Sequence, residues 1–281
     1  MERVGCYLVC ATPRSGSTLL CELLKDTGVA GRPEEYFEAR SDTGLPSHPG
    51  DYLDDLPRTG AGIRDDATPP RAPEHSSLAG LSNYRDHLQR TFRLGTTDNG
   101  VFGAKIMWRH LGEFEQLAWT LPEYAGLERH ELLERIFDGP RYVWVARADK
   151  VRQAVSLWRA LQTRSWRLEH GAEDTRTVEL HYRFEGIEHL VRALEAEDRA
   201  WGEFFDRHAI PVLRVGYEAE LVPDRERTVR SVLDHVGVDP PANWHPAEVM
   251  QQQADELSDE WVDAYHRDAV QRDLRARTAA H

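Results

Sequence analysis

A short apolar run that leads through a tight turn into a helix is the feature that most constrains the fold of this chain. Residues 5–11, GCYLVCA, have the pattern of a strand buried on both faces of a parallel sheet. After the turn, Ser17 is expected to cap a helix that carries its leucines on one side and ends before Gly28. The first 28 residues therefore predict a strand, a turn and a helix in succession.

The rest of the chain continues this alternation. Further buried strands are predicted at 101–107, 141–147 and 210–215, and helices at about 83–92, 111–121, 151–161 and 180–205. Alternating strands and helices favour an α/β fold with a mainly parallel sheet and helices on both faces, in which ligands bind at the carboxyl ends of the strands. We expect a single domain over 1–281, with a long irregular excursion at about 38–78 that is a candidate lid.

Charge and composition exclude several classes of partner. The formal net charge of −13 disfavours binding to nucleic acid, so an anionic ligand would have to be held by a few concentrated arginines. No stretch approaches the roughly 20 apolar residues that span a bilayer, and the run at 4–11 is too short for a secretory signal. Together with Cys6, Cys10 and Cys21, interpreted as reduced core thiols, this predicts a cytoplasmic protein.

Histidines are numerous, but their spacing does not indicate a metal site. The 13 histidines are scattered along the chain without the close, repeated spacing of metal ligands. We therefore predict no metal.

The turn after the first strand has the composition of an anion-binding loop. Backbone N–H groups and the helix dipole favour an anion there, and small residues allow close approach. Compared with the nucleotide-binding pattern GxxxxGK[ST], Ala11 replaces the first glycine and Ser17 replaces the lysine. A nucleotide-dependent kinase of the P-loop type would thus lack its usual cation, whereas Arg14 supplies one from a different position.

Five ordered blocks of sequence carry a family resemblance. The segment Pro13 to Leu19 resembles the 5′-phosphosulfate loop of sulfotransferases that use 3′-phosphoadenylyl sulfate (PAPS), with Arg14 in place of the usual lysine. The bacterial trehalose 2-sulfotransferase family shares that arginine, and its patterns are matched over 14–20, 31–37, 99–108, 154–163 and 258–263. The chain departs from these patterns at Thr12-Pro13, within 38–78, and at 251–255, where an expected arginine is absent.

The resemblance implies a P-loop-type sulfotransferase fold, PAPS as donor co-substrate and PAP as product. On this basis the donor-binding residues are expected to be Arg14, Ser15, Gly16, Ser17, Thr18, Leu19, Arg147, Ser156 and Tyr217. Arg147 and Ser156 would hold the 3′-phosphate, since a guanidinium and a hydroxyl both donate hydrogen bonds to phosphate. Tyr217 would lie near the adenine, although a packed aromatic side chain at a strand end explains it equally well.

Two residues are assigned to catalysis. Sulfuryl transfer depends on positioning and charge stabilisation, and Arg14 is placed to neutralise charge on the leaving phosphate oxygen. The acceptor hydroxyl needs a base, and Glu35 corresponds to the glutamate proposed for that role in the trehalose enzymes. Glu34 is the adjacent alternative, although an extended backbone would point the two carboxylates to opposite sides.

The acceptor is expected to be a carbohydrate or glycoside, and its identity stays open between a trehalose-like sugar and a glycosylated lipid or metabolite. Lys105, Trp108 and Arg159 are candidate acceptor-binding residues because sugar sites combine aromatic faces with planar or charged hydrogen-bonding groups. The resemblance also implies a homodimer. The alternatives are a P-loop kinase or phosphotransferase, and a non-catalytic nucleotide-binding protein with the same fold.

Overall fold

A computed structural model of the chain describes residues 5–46, 52–53, 76–163, 179–246 and 256–279. Its strands are β1 (Gly5–Ala11), β2 (Val101–Met107), β3 (Arg141–Ala146) and β4 (Val212–Gly216). Its α-helices are α1 (Ser17–Asp26), α2 (Tyr84–Gly95), α3 (Leu111–Trp119), α4 (Arg129–Phe137), α5 (Lys150–Thr163), α6 (Phe184–Arg207), α7 (Arg225–Val236) and α8 (Glu256–Ala279).

The four strands form one parallel sheet in the order β2-β1-β3-β4, and helices flank it. This architecture confirms the predicted α/β fold with a parallel sheet. The strand predictions are also confirmed, since β1 and β2 have the predicted bounds and β3 and β4 differ from theirs by one or two residues at their ends. Most of the excursion at 38–78 lies outside the described residues, so its role as a lid stays a prediction.

Strand register brings the ends of all four strands to one edge of the sheet. Ala11 at the end of β1 is level with Met107 at the end of β2 and with Val145 near the end of β3. Ala146 is in turn level with Gly216 at the end of β4. The segments that follow the four strands therefore start side by side, with the segment after β1 between those after β2 and β3.

The described residues fall into two compact units. The first comprises the described parts of 1–47, 69–148 and 197–249 and contains the whole sheet. Its core includes Leu8, Phe102, Phe137, Tyr142 and Trp201. Cys6, Cys10 and Cys21 are not joined in disulfides; Cys10 and Cys21 are buried, and burial raises the pKa of Cys21 to about 12, as suits an inert core thiol.

The second unit comprises the described parts of 48–68, 149–196 and 250–281. Its core brings α5, the first half of α6 and α8 together around Trp158, Leu161, Ile187 and Trp261. Trp158 and Leu161 are both fully buried. Within the described ranges, no helix combines the length and the apolar character that a bilayer crossing requires.

Candidate active site

The turn between β1 and α1 is shaped to receive an anion. Gly16 has a φ of 92°, which glycine adopts without strain, and Ser15 N donates to the Thr12 carbonyl at 3.3 Å. Helix α1 begins at Ser17, so Gly16 occupies the N-cap position, and the expectation that Ser17 caps the helix is wrong. With no capping side chain and no acidic residue in the first turn, the N–H groups at the start of α1 suit an anionic ligand.

Ser15 gives the loop a further polar group. Its side chain is fully buried, and its hydroxyl oxygen has no hydrogen-bond partner among the described residues. A buried hydroxyl without a partner is costly in free energy, and an anion in the loop would offer it one. The residues at this turn therefore fit a phosphate or phosphosulfate group.

Tyr217, directly after β4, and Arg147, directly after β3, both contact this turn. The ring of Tyr217 lies so close to Gly16 that a Cβ added at Gly16 would overlap it. The guanidinium carbon of Arg147 lies 4.8 Å from the centre of the Tyr217 ring, and Arg147 Nη1 donates to the carbonyl oxygen of Arg14 at 3.3 Å. Four of the predicted donor-binding residues thus lie in one cluster.

Arg147 is largely enclosed and has an acidic neighbour that the sequence did not reveal. Its side chain is 11% exposed, and its Nε lies 3.4 Å from Glu218 Oε1. The other carboxylate oxygen of Glu218 accepts a hydrogen bond from Ala148 N at 2.9 Å, which fixes the carboxylate beside the guanidinium. Glu218 follows Tyr217 in a π-helical turn after β4, so only the alignment of strand ends brings it to Arg147.

Lys105 connects the anion loop to the candidate base. It lies in β2 and its side chain is 1% exposed, which is unusual for a lysine without ionic partners. Its Nζ donates to Thr18 Oγ1 at 3.0 Å, and the same ammonium forms an ion pair with Glu35. One buried cation therefore contacts both the first turn of α1 and the carboxylate predicted to act as base.

Glu34 and Glu35 point to different lysines, as expected for neighbours in an extended segment. Glu34 pairs with Lys25, whereas Glu35 pairs with Lys105. The backbone around them is held to β2, because Lys105 N donates to the carbonyl of Glu34 at 3.0 Å. Of the two carboxylates, Glu35 is the one that shares a cation with Thr18 of α1.

Electrostatics keep Glu35 ionised. Burial alone would raise the pKa of Glu35, but the charge of Lys105 and hydrogen bonds with Glu38 and Lys105 outweigh it and hold the pKa below its ordinary range. The pKa of His110 is lowered to about 4, chiefly by burial, so this imidazole is neutral at pH 7. Glu35 is therefore ready to accept a proton, next to a neutral histidine.

Glu35, Glu38 and His110 form a group that could hold a metal ion, since their ligand atoms lie within 4.8 Å of one another. The spacing of the histidines does not indicate this group, because its members come from two segments far apart in the sequence. The Lys105 ammonium already neutralises Glu35, which disfavours a second cation at the same carboxylate. The metal-free site predicted from the sequence stays a prediction.

Three further residues that were predicted to bind the donor or the acceptor are Trp108, Ser156 and Arg159. Trp108 packs against Trp201 with ring centres 5.0 Å apart. The guanidinium carbon of Arg129 lies 4.7 Å from the centre of the Trp108 ring. Ser156 and Arg159 lie on α5 in the second unit, where Arg159 Nη1 donates to Ser258 Oγ. The roles of these three residues at the donor or the acceptor stay predictions.

Glu197 on α6 is a second buried acidic group that sequence reasoning missed. Its side chain is 14% exposed, and its Oε1 lies 4.0 Å from Arg109 Nη1, beyond hydrogen-bond distance. The neighbouring Asp198 accepts a hydrogen bond from Thr12 of the anion loop at 3.3 Å. The pKa of Glu197 is raised to about 7, chiefly by burial, while the positive charge of Arg109 lowers it by a smaller amount.

This raised pKa predicts a pH-dependent gain in stability for Glu197→Gln. The folded protein binds the Glu197 proton more tightly than the unfolded chain, so wild-type stability falls as pH rises from the unfolded pKa of 4.5 to the folded pKa of about 7. Urea unfolding should show the difference in free energy of unfolding between variant and wild type growing by on the order of 2 to 3 kcal/mol from pH 5 to 8. Glu203→Gln, at an exposed position of the same helix, is the control. A difference that does not change with pH would contradict the raised pKa.

Comparison with known proteins agrees with the class that the fold and the anion loop indicate, an enzyme that transfers a group from an anionic donor. The model of the Stf0 sulphotransferase family matches residues 6–268, and the chain belongs to that family. It is thus a sulfotransferase, and the kinase alternative is not favoured. Among its relatives, the trehalose 2-sulfotransferase of Mycobacterium tuberculosis is 37% identical over 269 residues, covering 94% of this chain and 95% of the relative. That of Mycolicibacterium smegmatis is 37% identical over 276 residues, covering 95% and 96%.

Proposed function

We propose that the chain transfers a sulfuryl group from PAPS to a hydroxyl of trehalose or a closely similar sugar, without a metal. The observation that carries the proposal is the buried Lys105, which contacts both Thr18 at the start of the helix after the anion loop and the carboxylate of Glu35. A single ammonium group thus lies between Thr18, which is expected at the donor, and the carboxylate that would deprotonate the acceptor. The names of the relatives support trehalose as acceptor.

The residues divide the reaction between them. The acceptor oxygen attacks the sulfur and its proton passes to Glu35, while the bond between sulfur and the 5′-phosphate oxygen breaks and PAP leaves with the electron pair. Lys105 and Arg14 supply positive charge on the side of the loop where negative charge develops, which stabilises the transition state. The N–H groups at the start of α1 would hold the 5′-phosphate.

The test is an assay of sulfuryl transfer with purified protein, PAPS and trehalose in the presence of EDTA. We expect sulfated trehalose and PAP to form in equal amounts, as followed by mass spectrometry, and no PAP release above background without acceptor. A glycosylated lipid is run beside trehalose as the competing acceptor class. Absence of sulfated sugar from every acceptor, although PAP binds, would favour the non-catalytic alternative.

Arg147→Ala should distinguish the 3′-phosphate from the rest of the donor. Loss of a charge-assisted contact to phosphate is expected to weaken PAP binding by about 10- to 100-fold, since such hydrogen bonds contribute about 1.5–3 kcal/mol. Binding of adenosine 5′-phosphosulfate, which has no 3′-phosphate, should change little in the same calorimetric titrations. Glu218→Gln, which removes the acidic neighbour but keeps the guanidinium, should not weaken PAP. Equal weakening of both ligands by Arg147→Ala would place the 3′-phosphate elsewhere.

The homodimer, the cytoplasmic location and the single domain over 1–281 are further parts of the proposal. They rest on the resemblance to the trehalose enzymes and on composition. Light scattering of the purified protein at several concentrations tests the dimer, because a mass of 64 kDa, twice the 32.2 kDa of one chain, should persist on dilution. A mass of one chain throughout would refute it.

A further inference from the structure

Two polar side chains near the turn that follows β2 each have one enclosed atom without a hydrogen-bond partner among the described residues. His110 is 5% exposed and its Nε2 makes no hydrogen bond; Glu197 has an enclosed Oε2 that makes none either. Buried polar groups are nearly always paired, because leaving one unpaired costs about 1–3 kcal/mol. Two such groups close to one reaction centre indicate a ligand with several hydroxyl groups.

One of the two side chains belongs to the turn that follows β2, and the other lies near that turn. His110 is the last residue of the 3-10 turn at Trp108–His110, and its ring lies within 4.8 Å of the Glu35 and Glu38 carboxylates. Arg109, the residue before it, faces Glu197 at 4.0 Å. The turn thus contacts the candidate base through His110 and lies near Glu197 through Arg109.

The turn and Glu197 are also tied to the donor side of the site. Asp198, next to Glu197, accepts from Thr12 of the anion loop, and β2 lies beside β1 with Met107 level with Ala11. A ligand that contacts His110 and Glu197 would therefore lie at the edge of the sheet where the anion loop begins. That is where an acceptor must lie to meet the donor.

We propose that Glu197 and His110 bind hydroxyl groups of the sugar acceptor that neighbour the hydroxyl to be sulfated. The proposal rests on the sulfotransferase function proposed above and names residues that determine its acceptor specificity. The carboxylate accepts hydrogen bonds from hydroxyl groups, and a neutral imidazole both donates and accepts one. Rotation about the last torsion of Glu197, which is broad, can present either oxygen to the sugar.

This arrangement explains why the Arg109–Glu197 pair is open. A gap of 4.0 Å is too long for a direct hydrogen bond, but the carboxylate can bind a hydroxyl while the guanidinium keeps it favourably charged. A site that hydrogen-bonds a substrate hydroxyl strongly rejects an analogue that lacks it, because the buried polar group is then left unpaired. Glu197 and His110 should therefore select among sugars by the pattern of their hydroxyl groups.

The test combines Glu197→Ala and His110→Ala with trehalose and a set of trehaloses that each lack one hydroxyl. We expect each variant to raise KM for trehalose about 10-fold or more, with smaller changes in kcat and in PAP affinity. On the one deoxy analogue that lacks its partner hydroxyl, each variant should match wild type, which itself has lost that contact. Glu203→Ala, at an exposed position on α6, is the matched control.

Each outcome is decisive. A variant that keeps the wild-type KM for trehalose, or that loses the same factor on every analogue, would overturn the assignment of that residue, since the second result is the signature of a structural role. Glu197→Met and His110→Leu, which keep apolar bulk but remove the hydrogen-bonding atoms, replace any alanine variant that fails to bind PAP. Wild-type protein that binds PAP but sulfates none of these sugars would overturn the proposed function instead, and the subsite with it.

Discussion

Glu35→Gln is expected to lower the turnover number by about 10²-fold or more while PAP affinity changes little. Glutamine occupies the same space and can accept a hydrogen bond from Lys105, but it cannot take up the proton of the acceptor hydroxyl. Because Glu35 is ionised in the resting site, the wild-type enzyme loses this base only at low pH. Turnover is measured from PAP release with trehalose, and affinity by calorimetry.

The control for Glu35→Gln is its neighbour. Glu34→Gln removes a carboxylate that pairs with Lys25 instead of Lys105, so turnover should stay within a few-fold of wild type. Turnover of Glu35→Gln close to that of wild type would remove Glu35 as the base. A large loss in Glu34→Gln alone would transfer that role to Glu34.

Lys105→Met is expected to have the largest effect on stability, a loss of about 3–5 kcal/mol in the free energy of unfolding. The substitution leaves the Glu35 carboxylate, 23% exposed, without its cation, and an unpaired charge in such surroundings is costly. Burial would then raise the pKa of Glu35, since the opposing effect of Lys105 is gone. The little activity that is left should therefore increase with pH, unlike that of wild type.

A double variant separates the ion pair from other effects of Lys105. Glu35→Gln added to Lys105→Met removes the stranded charge and should recover most of the lost stability in urea unfolding, without recovering turnover. A double variant as unstable as Lys105→Met would show that the lysine stabilises the fold through other contacts, such as its hydrogen bond to Thr18.

The sequence predicted the scaffold well because strands and helices follow from local patterns, whereas the roles of the donor-side residues stay predictions. Apolar runs located the strands, and the resemblance assigned to the donor Arg14, Arg147 and Tyr217, which follow the ends of three different strands. The register of the sheet then places all three within contact of the anion loop or of one another. The N-cap was misassigned because Gly16, in a left-handed conformation, completes the turn one residue earlier than a serine cap would.

The contacts around the candidate base could not be predicted from local patterns, because they join segments that are distant in the sequence. Lys105, whose role at the acceptor stays a prediction, contacts Thr18 and Glu35 in the structure; a lysine within the otherwise apolar run VFGAKIM was the available signal of a buried ion pair. No local pattern marks His110 or Glu197, which lie in different elements and become neighbours of one turn only after the chain folds.

Calorimetric titration of the protein with PAP, and in parallel with ATP and 5′-AMP, tests the central claim most directly. With EDTA present, the account predicts tight binding of PAP and much weaker binding of the other two nucleotides, because Arg147 and the anion loop recognise the two separate phosphates of PAP. Binding of ATP that requires Mg²⁺, with no affinity for PAP, would contradict it.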